Sequence, residues 1–129
     1  MHIEHLGLWT KNLERLKAFY ETYFLARAGQ KYVNARKQFE SYFLAFPSGA
    51  RLELMQSPAV TESRRAAEEQ VIGYAHLAFS VGSEAQVDAL TARLQNDGYA
   101  VVGEPRHTGD GYYESCVLDP DGNRIEITV

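Results

Sequence analysis

Hydrophobic side chains recur with the period of a helix in two segments of this chain. Each segment begins at a residue type that commonly caps a helix N-terminus. Asn12 precedes the first segment, and Ser83, with Gln86 as a capping-box partner, precedes the second. Gly98 marks the expected end of the second segment. The pattern therefore predicts two amphipathic helices, with apolar faces made of Leu13, Leu16, Phe19, Tyr20 and Tyr23 and of Val87, Leu90 and Leu94.

Short segments rich in β-branched and aromatic residues follow each predicted helix. A segment of alternating apolar and polar residues also precedes each helix, near His5 and near His76. Each half of the chain is therefore predicted to fold as one strand, one helix and three further strands. The strands after the helices are expected at Lys31–Asn34, Ser41–Phe46, Arg51–Gln56, Tyr99–Val102, Tyr112–Leu118 and Arg124–Thr128.

The second half of the chain repeats the first. The segment Phe46–Leu54 recurs 73 positions later as Asp119–Ile127, with Pro, Gly, Arg and Glu matched and aliphatic residues at the same two positions. Upstream, Ile3–Leu8 parallels Tyr74–Phe79 at an offset of 71. Both Pro-x-Gly sequences predict hairpin turns. The repeat therefore extends over both predicted modules.

The segment 57–73 contains Pro58 and a charged run at 62–70, and it has no counterpart within either half. It is interpreted as a linker between a first module, 1–56, and a second module, 74–129. A module of about 55 residues is too small to bury a core well on its own, so the modules are expected to pair. We interpret the 129 residues as one domain built from two half-modules.

Composition and charge exclude several classes of function. The only cysteine is Cys116, which excludes an intrachain disulfide and a cysteine-based zinc site and favours a reducing, cytoplasmic setting. The formal net charge is −4, without a basic cluster, which argues against a nucleic-acid partner. Neither an apolar run of about 18 residues nor a leader-like start at Met1–His5 is present, so we expect no membrane span and no signal peptide.

Strand alternation places two histidines and two carboxylates on faces opposite the predicted core. His5 and His76 alternate with apolar residues, and so do Glu53 and Glu126. Each of these residues, taken singly, is more commonly an ordinary polar surface residue. If the halves pair about a pseudo-twofold axis, the four side chains meet, and two imidazoles with two carboxylates suit a divalent transition metal. An octahedral ion would keep two positions for water or substrate.

The sequence resembles the vicinal oxygen chelate superfamily over its whole length. The superfamily includes glyoxalase I, fosfomycin-resistance thiol transferases, extradiol dioxygenases, methylmalonyl-CoA epimerase and bleomycin-binding proteins. The segments that carry the resemblance are Ile3–His5, Arg51–Leu54, Tyr74–Val81 and Asp119–Glu126. The resemblance implies an α+β fold in which two βαβββ modules pair into a curved, barrel-like mixed sheet with the helices outside.

The order His5, Glu53, His76, Glu126 is similar to the ligand order of bacterial glyoxalase I. This similarity implies a metal-dependent lyase or isomerase, with Glu126 as the base and Glu53 as its symmetry mate. The implied cofactor is nickel or zinc, with cobalt, manganese or iron as alternatives. The family also commonly forms homodimers, and the sequence leaves open whether the four ligands come from one chain or from two.

The sequence is also compatible with two other functions. A dioxygenase or thiol transferase of the same superfamily would use a similar metal site, although those enzymes typically have three protein ligands. A metal-free protein of the bleomycin-binding type would bind a small molecule through aromatic side chains, which Trp9 and the eight tyrosines of the chain would supply.

The candidate substrate-binding residues lie beside the four candidate ligands. Glutathione-using relatives usually carry Arg and Asn at the positions that Trp9 and Ser57 occupy here, so the pocket is expected to be more apolar and the thiol to differ from glutathione. Met55 shares the face of Glu53 and is a candidate contact or a packing residue. Arg51 and Arg124 lie two positions before each Glu and would bind an anionic group, or would serve the turns and solvent. The glycine-containing loop 106–113 is either a mobile lid or a plain surface loop.

Overall fold

The computed structural model describes residues 1–47, 49–62, 66 and 69–129. The chain divides into two compact units, Met1–Arg64 and Arg65–Val129. This division falls inside the segment 57–73 that the sequence predicts as a linker. Ser48 of the first Pro-x-Gly turn and residues 63–65, 67 and 68 of the charged run lie outside the described residues.

The described residues of the first unit form one helix and one sheet. Its elements are β1 (His5–Trp9), α1 (Leu13–Tyr23), β2 (Arg27–Ala28), β3 (Tyr32–Asn34), β4 (Phe39–Ala45) and β5 (Arg51–Gln56). The sheet has the order β1-β5-β4-β2, with β3 also paired to β4. Strand β1 runs parallel to β5, and the other pairs are antiparallel.

The third strand of the first module is divided. Strands β2 and β3 both pair with β4, and between them the Gly29 N–H donates to the Phe43 carbonyl at 2.9 Å. The sequence predicted only the second part, as Lys31–Asn34, because a strand of two residues is too short to show an alternating pattern.

The second unit has the predicted βαβββ order without a divided strand. Its elements are β6 (Leu77–Ser80), α2 (Glu84–Asn96), β7 (Val101–His107), β8 (Tyr113–Leu118) and β9 (Arg124–Thr128). The sheet order is β6-β9-β8-β7, with β6 parallel to β9 and the other pairs antiparallel. Both units therefore carry the α+β architecture that the sequence predicts.

Strand β7 extends further than predicted, and the expected loop 106–113 is correspondingly shorter. Arg106 and His107 belong to β7, and Tyr113 begins β8. The turn between them is closed by the Thr108 N–H, which donates to the Tyr112 carbonyl at 2.8 Å. Gly103 and Pro105 interrupt the alternating pattern of this edge strand, and its pairing with β8 shifts register twice. The sequence signal therefore stopped short of the real strand end.

The internal repeat is reproduced in the pairing register of both sheets. Glu53 lies opposite Gly7 of β1 and Phe43 of β4. Glu126 lies opposite Ala78 of β6 and Cys116 of β8, so the two carboxylates occupy equivalent register positions in the two sheets, at the offsets read from the sequence. Because pairing register decides which side chains share a face, the two units present equivalent residues in equivalent places.

The predicted helix boundaries are confirmed. The Asn12 side chain accepts the Arg15 N–H at 3.0 Å, and the Ser83 hydroxyl accepts the Gln86 N–H at 3.3 Å. Helix α2 ends at Asn96, and just beyond it Gly98, with a φ of +91°, lets the Tyr99 N–H reach the Leu94 carbonyl at 3.0 Å. None of the helices in the described parts of the chain is long and apolar enough to cross a membrane.

Each unit buries one face of its helix against one face of its sheet. In both sheets the buried residues of the strands alternate with the candidate site residues. The buried residues of the first unit include Leu13, Leu16, Phe19, Tyr20, Leu44, Leu52 and Leu54, and those of the second include Val87, Leu94, Val117, Ile125 and Ile127. The packing of the apolar face thus directs the candidate ligands to the opposite face.

Equivalent glycines form the two Pro-x-Gly turns. Gly49 has a φ of +83° and Gly122 a φ of +82°, a backbone conformation that side chains with a Cβ disfavour. In the second turn, the Asp119 carboxylate also accepts the backbone N–H groups of Asp121 and Asn123, both at 2.9 Å. The turn fixes the register of β9, which carries Glu126.

Replacing Gly122 by Ala should lower the free energy of unfolding by about 1 kcal/mol. An added Cβ would meet no atom within 4 Å, so the cost comes from the positive φ alone. Gly109 is the matched control, because it also has open space around it but no positive φ. Urea unfolding of both variants measures the difference. Equal loss in the two variants would contradict a strained turn at Gly122.

Candidate functional site

The first unit brings His5 and Glu53 together. They lie on adjacent parallel strands, with His5 opposite Arg51 in register and Glu53 two residues further along β5. His5 Nε2 and Glu53 Oε2 are 3.8 Å apart, and the side chains are 39% and 19% exposed. Both point away from the buried Leu52 and Leu54, as strand alternation predicted.

The second unit brings His76 and Glu126 together in the same way. His76 Nε2 and Glu126 Oε2 are 3.0 Å apart, and the side chains are 40% and 21% exposed. The exposed fractions of His76 and Glu126 are thus nearly equal to those of His5 and Glu53. The duplicated sequence therefore produces two equivalent His–Glu pairs, each half-exposed on the face opposite its core.

Aromatic rings and a bridging carboxylate surround the first pair. The Glu4 carboxylate binds both His5 Nδ1 and the Arg51 guanidinium. The guanidinium carbon lies 4.2 Å from the centre of the Phe43 ring, and the His5 ring meets the same ring edge-on at 5.3 Å. Hydrogen bonds with His5 and then with Arg51 lower the pKa of the Glu4 carboxyl.

The second pair has polar surroundings instead. Burial raises the pKa of the Glu126 carboxyl, while the charge of His76 opposes this shift and the charge of Glu114 adds to it. Cys116 occupies the position equivalent to Phe43, and burial raises the pKa of its thiol against the opposing effect of Arg124. A carboxylate with a raised pKa is the stronger base, so this environment suits Glu126 to accept a proton.

Trp9 and Met55 share the face of Glu53, as predicted. Trp9 is 53% exposed and meets the Phe39 ring edge-on at 6.1 Å. Met55 lies beside Trp9 in register, and its Cε would be 2.8 Å from a Cβ added to Gly7. Met55 therefore packs over the glycine, which leaves Trp9 as the more accessible apolar group next to the first pair.

A cleft of about 630 Å³ opens in the first unit beyond the ends of β1 and β5. Its lining includes Lys11, Phe39, Gln56 and Ser57. Ser57 stands where glutathione-using relatives are expected to carry Asn, and Phe39 connects the cleft to Trp9. Of the two positions at which the sequence departs from a glutathione site, Ser57 lines this cleft, and Trp9 contacts Phe39 of its lining.

Each His–Glu pair is described within its own unit. Over residues 1–47, 49–62, 66 and 69–129, no group of three or more His, Cys, Asp or Glu side chains is placed to hold a metal ion. The meeting of all four side chains around one ion stays a prediction.

The donor atoms of each pair fit a transition-metal ion. Imidazole nitrogen with carboxylate oxygen is a donor set that zinc, nickel and iron accept. Two ligand atoms held about 2.1 Å from one ion lie about 3.0 to 3.4 Å apart, depending on the angle between them. The 3.0 Å separation in the second pair fits this spacing, and the 3.8 Å separation in the first needs a small side-chain movement.

Three neighbours of the candidate ligands were missed in the sequence. Phe43 and Glu114 could have been found from the sequence, because each predicted hairpin around a Pro-x-Gly turn implies which residue of one strand faces which residue of the next. Glu4 carried no such signal, since nothing in the pattern distinguishes it from an exposed residue before a strand. Its contact with His5 is to the next residue in the chain, and its contact with Arg51 arises from the parallel pairing of β1 with β5.

Comparisons with known proteins identify relatives of this chain. The family model described as Glyoxalase/Bleomycin resistance protein/Dioxygenase superfamily matches residues 2–127. An uncharacterized protein of Bacillus subtilis (strain 168), YqjT, is 41% identical over 59 residues, which are 43% of this chain and 46% of that protein. The match to this curated relative thus covers less than half of either protein.

Solved structures of similar fold include a possible glyoxalase from Bacillus cereus. It is 29% identical, with a TM-score of 0.73, and the match covers 100% of this chain and 99% of the other. A V278E mutant of glyoxalase I from Zea mays is 19% identical with a TM-score of 0.79, and it matches 98% of this chain and 44% of the maize chain. This chain therefore spans less than half the length of the maize protein, and at that identity the likeness concerns the fold alone.

Proposed function

Because this chain belongs to the Glyoxalase/Bleomycin resistance protein/Dioxygenase superfamily, the vicinal oxygen chelate proteins, we propose that it is a metal-dependent lyase or isomerase of the glyoxalase I type. The substrate class is a small α-oxo or hydroxy-carbonyl compound, presented as the hemithioacetal of a thiol. The proposal is supported by the two His–Glu pairs, which occupy equivalent register positions in the two sheets. Their His Nε2 to Glu Oε2 distances are 3.8 Å and 3.0 Å.

His5, Glu53, His76 and Glu126 would hold one divalent metal ion, with nickel or zinc preferred over cobalt, manganese or iron. When bound, such an ion would acidify the carbon-bound proton next to a carbonyl and stabilise the negative charge that develops on the substrate oxygens. The four ligands would come from one chain or from the two chains of a homodimer, which we propose as the assembly.

Glu126 would move the carbon-bound proton. Its carboxylate would take the proton from the carbon that bears the hydroxyl and the sulfur, and would return it to the neighbouring carbon. Glu53, its symmetry mate, would carry the hydroxyl proton from one substrate oxygen to the other. The net reaction moves two hydrogens and turns a hemithioacetal into a hydroxy thioester without an external oxidant or reductant.

The surrounding side chains would select the substrate. Trp9 and Met55 would contact an apolar substituent, and Trp9 replaces the arginine that would pair a carboxylate of glutathione. Arg51 and Arg124 would bind an anionic group beside each Glu. Arg51 already donates to Glu4 and lies over Phe43, so its head group is held at the site before substrate arrives.

Metal analysis of the protein purified without a histidine tag is the direct test. We expect stoichiometric nickel or zinc and isomerase activity toward hemithioacetals of small thiols. A chelator should remove both metal and turnover, and adding the metal back should restore turnover. Activity that survives complete metal removal would contradict the proposal, and oxygen consumption or thiol transfer to an epoxide would favour the dioxygenase or transferase alternative.

The exposed aromatic side chains favour one second function. Trp9, Phe39 and Tyr32 form a chain of ring contacts, each at 6.1 Å, on the first unit. A metal-free protein that binds a small aromatic molecule would use such a surface. Two results together would support this function over the enzyme. The purified protein would contain no metal, and an added aromatic ligand would quench the fluorescence of Trp9.

A further inference from the structure

Glu4 makes two side-chain contacts at the edge of the first His–Glu pair. One carboxylate oxygen binds His5 Nδ1 and the other binds the Arg51 guanidinium. The backbone adds a third contact, because the Glu4 carbonyl accepts the Arg51 N–H at 3.0 Å. Glu4 therefore bonds to His5 of β1 and to Arg51 of β5, although Glu4 itself precedes β1.

These contacts determine which nitrogen of His5 is free. A carboxylate only accepts hydrogen bonds, so the imidazole nitrogen that faces it must carry the proton. With the proton on Nδ1, the lone pair of a neutral imidazole lies on Nε2, the atom 3.8 Å from Glu53 Oε2. His5 is thereby held in the tautomer and orientation of a metal ligand.

The second His–Glu pair has no such partner at the equivalent position. The repeat offset of 71 aligns Glu4 with Ala75, whose methyl group cannot accept a hydrogen bond. The two pairs match in register and exposure, so this residue is a specific chemical difference between them.

We propose that Glu4 is a positioning residue that orients His5 through Nδ1 and so presents the Nε2 lone pair of His5 to the metal site. The inference rests on the proposed function for its metal and adds a residue outside the four ligands. Partners that bind the far nitrogen of a ligating histidine typically change metal affinity by about 10- to 100-fold.

The tautomer of His5 tests the positioning role without any metal. Nitrogen NMR of the metal-free full chain, at a pH of about 8.5 where imidazoles are ordinarily neutral, distinguishes the two tautomers. We expect the Nδ1–H form for His5 in the wild type and in Glu4→Gln, whose amide oxygen still accepts the hydrogen bond. Glu4→Ala should shift His5 toward the Nε2–H form, and an unchanged tautomer would overturn the inference.

Zinc titration of the same proteins tests the consequence. Glu4→Ala should weaken zinc binding by about 10- to 100-fold, and Glu4→Gln should recover most of that loss. Glu62→Gln is the matched control, since it removes another exposed carboxylate, one that pairs with Lys11 at 2.9 Å, and should leave zinc affinity unchanged. Equal zinc affinity in the wild type and Glu4→Ala would reject the role of Glu4 and leave the proposed metal site standing. A wild-type protein that binds no metal would reject the proposed function, while the tautomer would still report on the positioning of His5.

Discussion

Glu126→Gln should lower kcat by about 10²- to 10⁴-fold while the protein keeps its metal. The amide retains an oxygen that can face the ion but cannot accept a proton from carbon. The carboxyl is suited to this role because burial raises its pKa, although the charge of His76 opposes that shift. Steady-state kinetics together with metal analysis of the purified variant measure the two effects separately.

The repeat supplies the control for this substitution. Glu53→Gln changes the equivalent carboxylate at the equivalent register, and we expect it to lower kcat less than Glu126→Gln does. Circular dichroism should show that both variants are folded. A Glu126→Gln enzyme with wild-type kcat would show that another group is the base.

Replacing either His5 or His76 by Ala should abolish stoichiometric metal binding, and with it turnover. Each substitution removes the nitrogen donor of one pair and leaves two carboxylates and one imidazole, a weaker and less selective set for nickel or zinc. His107→Ala is the matched control. That histidine also lies near a carboxylate, at 3.7 Å from Glu84, but it is 71% exposed and has no counterpart in the repeat.

Mixing the two inactive histidine variants determines which chain supplies each pair. In a homodimer whose sites form between subunits, a mixed dimer of His5→Ala and His76→Ala regains one complete site, so activity should return after mixing under exchange conditions. If both pairs come from one chain, mixing restores nothing. A single histidine variant that keeps its metal would contradict the four-ligand site in either case.

Local interactions explain why so much of each unit was predictable. The capping side chains of Asn12 and Ser83 bond to backbone groups three residues away, and Gly98 ends α2 through its own backbone conformation. Strand alternation is equally local, since it needs only the pleat of one strand. The faces assigned to His5, Glu53, His76 and Glu126 therefore followed from neighbouring residues alone.

Elements that depend on distant partners were missed or misjudged. The divided strand β2–β3 exists because β4 offers backbone partners to both parts. Strand β7 continues past Gly103 and Pro105 because β8 pairs with it despite two register shifts, whereas the sequence there indicated a loop. Pairing energy contributed from another part of the chain outweighs such local signals.

The sequence by itself determined the duplication, the two helices, the hairpin turns and the four candidate ligands, because each depends on periodicity or on residues close in the chain. Only the tertiary structure decided that each His lies within 4 Å of its Glu and that their neighbours differ, with Phe43 and Glu4 beside one pair and Cys116 beside the other. The physical reason is the pairing register. Parallel contact of β1 with β5 and of β6 with β9 joins residues more than 40 positions apart, and short-range patterns do not encode that contact.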